Sequence, residues 1–444
     1  MPSADSHIPF QAAVYQNEYL PSGGMEVNAI ITVTAGSSNG SALDGAQGPA
    51  DRTQPVAPEA AEVIMLDCSG SMAYPLTKLR EAQSATAAAI DALRDGTWFA
   101  LVRATERAEL AYPPAGGLAQ ASPETKRAAK HAVQLMWPEG GTAMGQWLTL
   151  ARDLLASRPS PIAHAILLTD GSNESESRDA LESALAACAG RFQCDCRGVG
   201  TDWRVKELRT IASRLLGTVD IVADPAGLEA DFRSMIERAM SKATGDVSLR
   251  LWTPRGTSVA FLRQVAPTIE DLTNRANPVD ALTADYPTGA WGDESRDYHL
   301  CVRVPAKEIG DELLAARVSM MVAGRVASQA LVKAFWTDEE QLSTAINREV
   351  AHYIGQAELA DTIQEGLEAR RQGDEHTATF KLGRAVQLAA AAGNHDTMKL
   401  LAGVVDVQDP HTGTIRLRRR VQDAEEMALD TRSTKTVRMQ GLRA

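Results

Sequence analysis

The stretch Val63-Ile64-Met65-Leu66-Asp67-Cys68-Ser69-Gly70-Ser71-Met72 decides how this chain reads. Four apolar residues run into an acid, and hydroxyls follow at alternate positions, so Asp67, Ser69 and Ser71 form a D-x-S-x-S pattern. A continuous apolar run ending in Gly and Ser predicts a buried parallel strand that delivers its carboxyl end into a loop. Ligands of open α/β sheets bind just outside such strand ends. One carboxylate and two hydroxyls on a single loop suit a hard, oxygen-seeking cation that keeps several waters, magnesium ahead of manganese or calcium. The same residues also fit a strand-to-helix turn with ordinary capping serines, so the neighbouring segments must choose.

Around that stretch, residues 60–242 alternate strand and helix. Leu79, Ala82, Thr86, Ala89, Ile90 and Leu93 mark one face of an amphipathic helix ending at Gly96. Trp98–Val102 predicts the next strand, and Ser122-Pro123-Glu124 is a capped helix start. Glu139-Gly140-Gly141-Thr142 leads into a helix carrying Trp147, Leu148, Ala151, Leu154 and Leu155. Ala165–Thr169 is another buried strand, ending at Asp170-Gly171, and further strands are predicted at 192–200 and 218–223. Strands alternating with helices imply an α/β fold, a doubly wound and mostly parallel sheet covered on both faces.

The flanks read differently. Residues 8–36 carry two strands that cannot be stable alone and must join a sheet made elsewhere. Residues 37–59, rich in Gly, Ser, Ala and Pro, read as a flexible linker. Five more strands are predicted within 245–336, so the seven together suggest a β-sandwich into which the α/β unit is inserted. Residues 338–405 are helical, with Ile346, Val350, Tyr353, Ile354, Ala357, Ala360 and Ile363 at helical spacing. After a turn at Gly373-Asp374 come Phe380, Leu382, Ala385, Val386 and Ala389. A small C-terminal helical bundle fits better than a peptide-binding repeat, because no second copy recurs at a fixed period. From about 406 to 444 the chain is a basic, Thr-rich tail of the kind that is usually solvated and disordered.

Composition narrows the function. The 444 residues are 44% hydrophobic and 23% charged, as in ordinary globular proteins, and too many for one core. A net charge of -12 argues against a nucleic-acid partner. No membrane span and no secretory signal is visible, which makes the cytoplasm the expected compartment. The five Cys do not form a disulfide framework, and Cys188, Cys194 and Cys196 lack usual zinc spacing. Reduced thiols are the expectation, with a Cys188–Cys194 bridge open only in an oxidising compartment.

The D-x-S-x-S of Asp67–Ser71, the G-G-T ending at Thr142 and the T-D-G containing Asp170 arrive in the order and at about the spacing of the metal-ion-dependent adhesion site of von Willebrand factor A (VWA) domains, which this region resembles. The resemblance implies that Ser69 and Ser71 give hydroxyl oxygens directly to a divalent cation. It implies that Thr142 binds directly or through water, and that Asp67 and Asp170 hold coordinated waters. Few direct carboxylates would leave the cation a net charge and an open position for a partner's acidic residue. Tyr74 with Pro75, Glu139, Asn173, Glu174 and Trp203 flank these loops as a candidate partner rim, whereas Trp137 and Trp147 read as core. His164 lies at the far end of its strand from Asp170 and reads as a core or edge residue; no nucleophile elbow, P-loop or H-E-x-x-H motif is present.

Residues 15–21, 285–299 and 431–438 further resemble multidomain VWA proteins of high-GC Gram-positive bacteria, a family associated with forkhead-associated (FHA) modules, Ser/Thr kinases and phosphatases. That likeness implies phosphorylation of Thr434 or Thr436 and recognition by an FHA protein. The expected function is therefore non-enzymatic: a metal-dependent protein–protein interaction module or scaffold in a bacterial signalling or stress-response assembly. An accessory subunit of an AAA+ ATPase and, less in keeping with the absent base, a metal-dependent hydrolase are the alternatives.

Overall fold

Val63 to Leu66 are wholly buried because the strand that contains them, Ala60–Asp67, is interior to its sheet. In this computed structural model, which describes residues 8–36, 58–75, 77–222 and 227–438, that sheet has the order Val219–Val222, Gln193–Val199, Ile162–Thr169, Ala60–Asp67, Trp98–Ala104, Ala108–Tyr112. The first five strands are mutually parallel. Ala108–Tyr112 and the short Ala119–Gln120 pair antiparallel with Trp98–Ala104.

The pleat explains the unbroken apolar run. Ile64 and Leu66 enter a core roofed by the helices Thr77–Ala92, Pro123–Gln134 and Leu228–Met240. Val63 and Met65 enter the opposite core, under Met144–Ala156, Arg178–Cys188 and Val205–Arg214. Each such side chain contributes roughly 1.5–3 kcal/mol on burial, so register is strongly fixed on both faces. Asp67 is thereby carried to the carboxyl edge of the sheet. Ser122 caps its helix in a reciprocal box with Thr125, the start that Ser122-Pro123 predicts. The five cysteines are buried free thiols, and no bridge joins Cys188 to Cys194.

Two further sheets share one apolar cluster that includes Trp291, Trp336 and Tyr298. Glu26–Ala35 pairs on one side with Phe10–Gln16 and on the other with Glu294–Arg303, so the strands before the α/β unit are completed by strands after it. The second sheet runs Asn277–Pro278, Thr283–Pro287, Val247–Trp252, Glu312–Val322, Arg325–Trp336, Tyr19–Leu20. Thr283–Pro287 and the two-residue strands go beyond the seven predicted, being too short or too polar to show a period.

The helices Arg348–Arg371, Glu375–Ala391 and His395–Val404 follow. Gly373 and Gly393 both take positive φ, and Asp374 and Asn394 each cap the next helix from the side chain. Val350, Tyr353, Ala360 and Ile363 are buried as their spacing predicts, but Ile346, Ile354 and Phe380 lie exposed.

The C-terminal segment departs furthest from the sequence expectation. It is not a free tail: Val405–Asp409 pairs with Thr414–Leu417, and the helix Asp423–Arg432 buries Leu429 completely. Asp430 accepts from Arg209 and Arg371, Arg432 and Lys435 bridge to Asp220, and Arg438 bridges to Asp297. Arg432, Lys435 and Arg438 are thus paired with acids of the α/β unit and the sheets and Arg418 with Asp406 of its own hairpin, whereas Arg416, Arg419 and Arg420 stay exposed as the sequence suggests. Residues 37–57 of the expected linker lie outside the described residues. Among the described residues no helix is long and apolar enough to cross a membrane.

Candidate metal centre

Three loops meet at the carboxyl edge of the parallel sheet, and backbone bonds stitch them together. Gly70 N–H donates to Gly140 O at 2.9 Å, and Glu139 N–H donates to Cys68 O at 2.7 Å. Gly140 has φ +75°, and a Cβ there would stand 1.6 Å from Glu106 Oε2, so only glycine fits. Glu106 accepts instead from Gly141 N–H at 2.7 Å, fixing the bend that presents Thr142. Thr142 and Ser175 exchange two further bonds, and Asn173 and Glu176 accept from Met144 and Gly145 N–H at the start of the next helix. The loop after Asp170 is therefore locked onto the loop that holds Thr142.

Inside this frame the sequence-predicted set Asp67, Ser69, Ser71, Thr142 and Asp170 comes together. Asp67 Oδ1 accepts from Ser69 N–H at 2.7 Å and its Oδ2 accepts from the Thr169 hydroxyl at 2.5 Å. Burial pushes the Asp67 carboxyl up, opposed by these hydrogen bonds from Thr169 and Ser69, to about 6. Ser69 and Ser71 hydroxyl oxygens lie 3.0 Å apart, and Ser71 donates to Asp170 Oδ1 at 2.7 Å. A Cβ on Gly171 would lie 3.4 Å from Thr142 Oγ1 and 3.5 Å from Ser71 Oγ. The two hydroxyls therefore flank one small corner above Gly171. Asp67, Ser69, Thr142 and Asp170 are buried, whereas Ser71 stands at the exposed lip.

This is an all-oxygen donor set, three hydroxyls with two carboxylates, of the kind a hard divalent cation takes. Among the described residues no group of three His, Cys, Asp or Glu is placed to hold a metal, so softer nitrogen or sulfur chemistry has no equivalent site. Cys68, at the variable position of the motif, is buried in the apolar core and turns its thiol toward Met136.

The rim differs from expectation in two places. Trp203 is 3% exposed and packs into the core, with its indole against Gly198. Trp137, expected in the core, is 58% exposed; Arg103 stacks on it at 4.6 Å and its Nε1–H donates to Glu139 at 2.9 Å. Tyr74 is 86% exposed beside the first loop, and Glu139 and Glu174 are exposed. Asn173 spends its side chain on capping. Trp147 is core, donating to Thr105 O. Sequence reasoning passed over Thr169 and Lys78. Lys78 Nζ lies 2.9 Å from Asp170 Oδ2 and 2.9 Å from Asp202 Oδ2. Its signal was available: a lysine in the first turn of a helix opposes the macrodipole and needs another reason to be there.

Fold and loops define a class, a doubly wound α/β domain that offers oxygen donors at the carboxyl ends of its strands. The von Willebrand factor type A domain model matches residues 61–221, and the von Willebrand factor type A C-terminal domain model matches residues 387–433. A von Willebrand factor type A structure from Catenulispora acidiphila is 46% identical, covers 99% of both chains and superposes with a TM-score of 0.91. The ArnB paralog VWA2 from Sulfolobus acidocaldarius, 14% identical over 95% of this chain and 98% of its own, has a TM-score of 0.60 and shares the fold. No curated protein matches. The chain belongs to the von Willebrand factor type A family.

Proposed function

We propose that this chain is a non-enzymatic, metal-dependent protein interaction module or scaffold. Ser69 and Ser71 would supply hydroxyl oxygens directly to a divalent cation, magnesium with manganese or calcium as substitutes, Thr142 would bind it directly or through water, and Asp67 and Asp170 would hold its waters. The bound cation supplies a Lewis-acidic position for an acidic side chain of a protein partner. The observation that carries the reading is the convergence of Thr142 and Ser71 hydroxyls over Gly171, with Ser71 at an open lip. Tyr74, Trp137, Glu139 and Glu174 form the rim that meets the partner's residues around that acid. The two sheets form the sandwich into which the VWA unit is inserted, and the C-terminal helices form a bundle against it.

Support for a non-enzymatic role comes from the engagement of the acids and the place of the imidazole. Both Asp67 oxygens are hydrogen-bonded, and His164 sits at the opposite end of the sheet, bound to Glu62 and Asp195. Ser69→Ala is expected to weaken magnesium binding by about tenfold or more, a loss of about 1.4 kcal/mol or more. Isothermal titration of chelator-stripped protein measures it. Partner capture from host lysate is expected to be lost with chelator and with Ser69→Ala alike. Unchanged magnesium affinity in Ser69→Ala would remove the reading.

The assembly we place it in is a bacterial, cytoplasmic signalling or stress-response complex, with an FHA protein, a Ser/Thr kinase or a phosphatase as partner and Thr434 or Thr436 as the phosphorylated residue. The Thr436 hydroxyl donates to Val265 O at 2.6 Å, so a phosphate there requires the segment to leave its seat. Phosphorylated protein is therefore expected to show faster proteolysis after Leu417. Mass spectrometry of protein from its native host that finds neither threonine modified in any growth condition counts against this part.

A further inference from the structure

Asp170 is fully buried, and one of its carboxylate oxygens belongs to the hydroxyl cluster while the other touches an ammonium group. That ammonium is Lys78, whose side chain is 12% exposed and lies between Asp170 and the outward-facing Asp202, whose side chain is 66% exposed. Gly200 borders the lysine stem: a Cβ there would lie 3.6 Å from Lys78 Cε. The lysine therefore has a buried acid at one hand, a solvated acid at the other and a glycine flank beside it. Helix chemistry does not account for it, since Lys78 occupies the first turn of Thr77–Ala92, the end that repels cations.

We propose that Lys78 is a tethered cation that competes with the divalent ion for Asp170, and that Asp202 is the harbour that receives it when the ion enters. The proposal rests on the metal reading given above and adds its regulation. Without metal, Lys78 neutralises a buried carboxylate that would otherwise be an uncompensated charge. With metal, two positive charges would crowd one acid, and like charges a few ångströms apart repel strongly in a partly desolvated site. Lys78 then keeps only its Asp202 contact. The linkage is reciprocal: whatever strengthens the Lys78–Asp170 pair weakens metal uptake, and the reverse. Intrinsic affinity is thereby held down, so that a partner's carboxylate helps to retain the ion.

The two acids make opposite predictions. Lys78→Met removes the competitor and is expected to tighten magnesium by about tenfold, while lowering the melting temperature of the metal-free protein. Asp202→Asn removes one of two lysine partners without metal but the only one with metal, so magnesium is expected to bind about threefold or more weakly. The readouts are calorimetric magnesium affinity and melting temperature with and without magnesium chloride, on the full chain. Lys78→Gln repeats the test with a milder change, and Asp202→Asn alters a surface side chain. Equal or weaker magnesium binding in both lysine variants, with wild type binding and Ser69→Ala not, overturns the role of Lys78 and leaves the metal reading standing. Absence of magnesium binding in wild type, the lysine variants and Ser69→Ala together overturns both.

Discussion

Replacing His164 by alanine is expected to cost about 3–5 kcal/mol of folding stability, because it leaves the buried Glu62 without its cation. His164 Nδ1 lies 2.8 Å from Glu62 Oε2, and Nε2 lies 3.3 Å from Asp195 Oδ2. Glu62 is completely buried. Burial alone would push the imidazole down; the Glu62 charge and the hydrogen bonds to Asp195 and Glu62 overcome it and hold it at about 10. The two acids respond oppositely although they share one imidazole. Glu62 is raised, since burial outweighs its single partner, whereas Asp195, against burial, is pulled well below the usual range by His164, Arg197 and the Thr218 bonds. The sign follows from the folded value lying above the unfolded one, near 6.5. The contribution of His164 is complete below about 6.5 and is lost as pH rises through about 10. Urea midpoints measured from pH 6 to 10 should fall in wild type. In His164→Ala they should start low and lose the alkaline slope that the imidazole supplies. The double variant Glu62→Leu/His164→Leu should recover much of the loss, since apolar pairs often replace buried ion pairs at little cost. A His164→Ala protein as stable as wild type at pH 7 would contradict the ionic account. Arg296, Lys242 and Glu294 line the same cavity of about 250 Å³ as His164 and Asp195, where the α/β unit meets the sheets.

What could be read from the sequence was local. Val63–Leu66 is apolar at every position because both faces of that strand are covered, and Asp67 follows it with no intervening residue, so strand, loop and acid share one window. Thr142 and Asp170 were legible for the same reason, each at the end of an element with its own signal. Lys78 meets Asp170 across 92 positions and has no local pattern beyond an awkward place in a helix. Thr169 was hidden inside T-D-G, where its hydroxyl reads as strand propensity until Asp67 is placed beside it at 2.5 Å. The packing of the C-terminal segment is not legible in its arginines; it rests on the buried Leu429. A buried leucine on that helix, with Asp220 and Asp297 far off in sequence to pair with Arg432, Lys435 and Arg438, seats a segment that its local charge pattern marks as solvated.

The exchange of Trp137 and Trp203 between rim and core leads to the second large effect. Both sit in loops with Gly or Pro nearby, and residue type alone does not separate them. What separates them is Gly198: a Cβ there would fall 1.8 Å from Trp203 Cε2, so the strand Gln193–Val199 offers a slot that the indole fills. The indole N–H then donates to Gly200 O at 3.0 Å, folding the loop back over its own strand. Trp203→Ala should therefore cost about 3–5 kcal/mol in denaturant unfolding, the range for emptying a buried aromatic site. Gly198→Ala should also destabilise, by forcing the ring out of its slot. Trp137→Ala removes an exposed ring and its stacking with Arg103, worth about 0.5–1 kcal/mol, so its unfolding midpoint should stay near wild type. Asp202 immediately precedes Trp203, so loosening the indole also frees the carboxylate that pairs with Lys78. Magnesium affinity in Trp203→Ala should fall in the direction of Asp202→Asn, at temperatures where the variant remains folded. Trp137→Ala should leave that affinity alone and act on partner capture. A Trp203→Ala protein that unfolds with wild type while losing partner capture would return that indole to the rim.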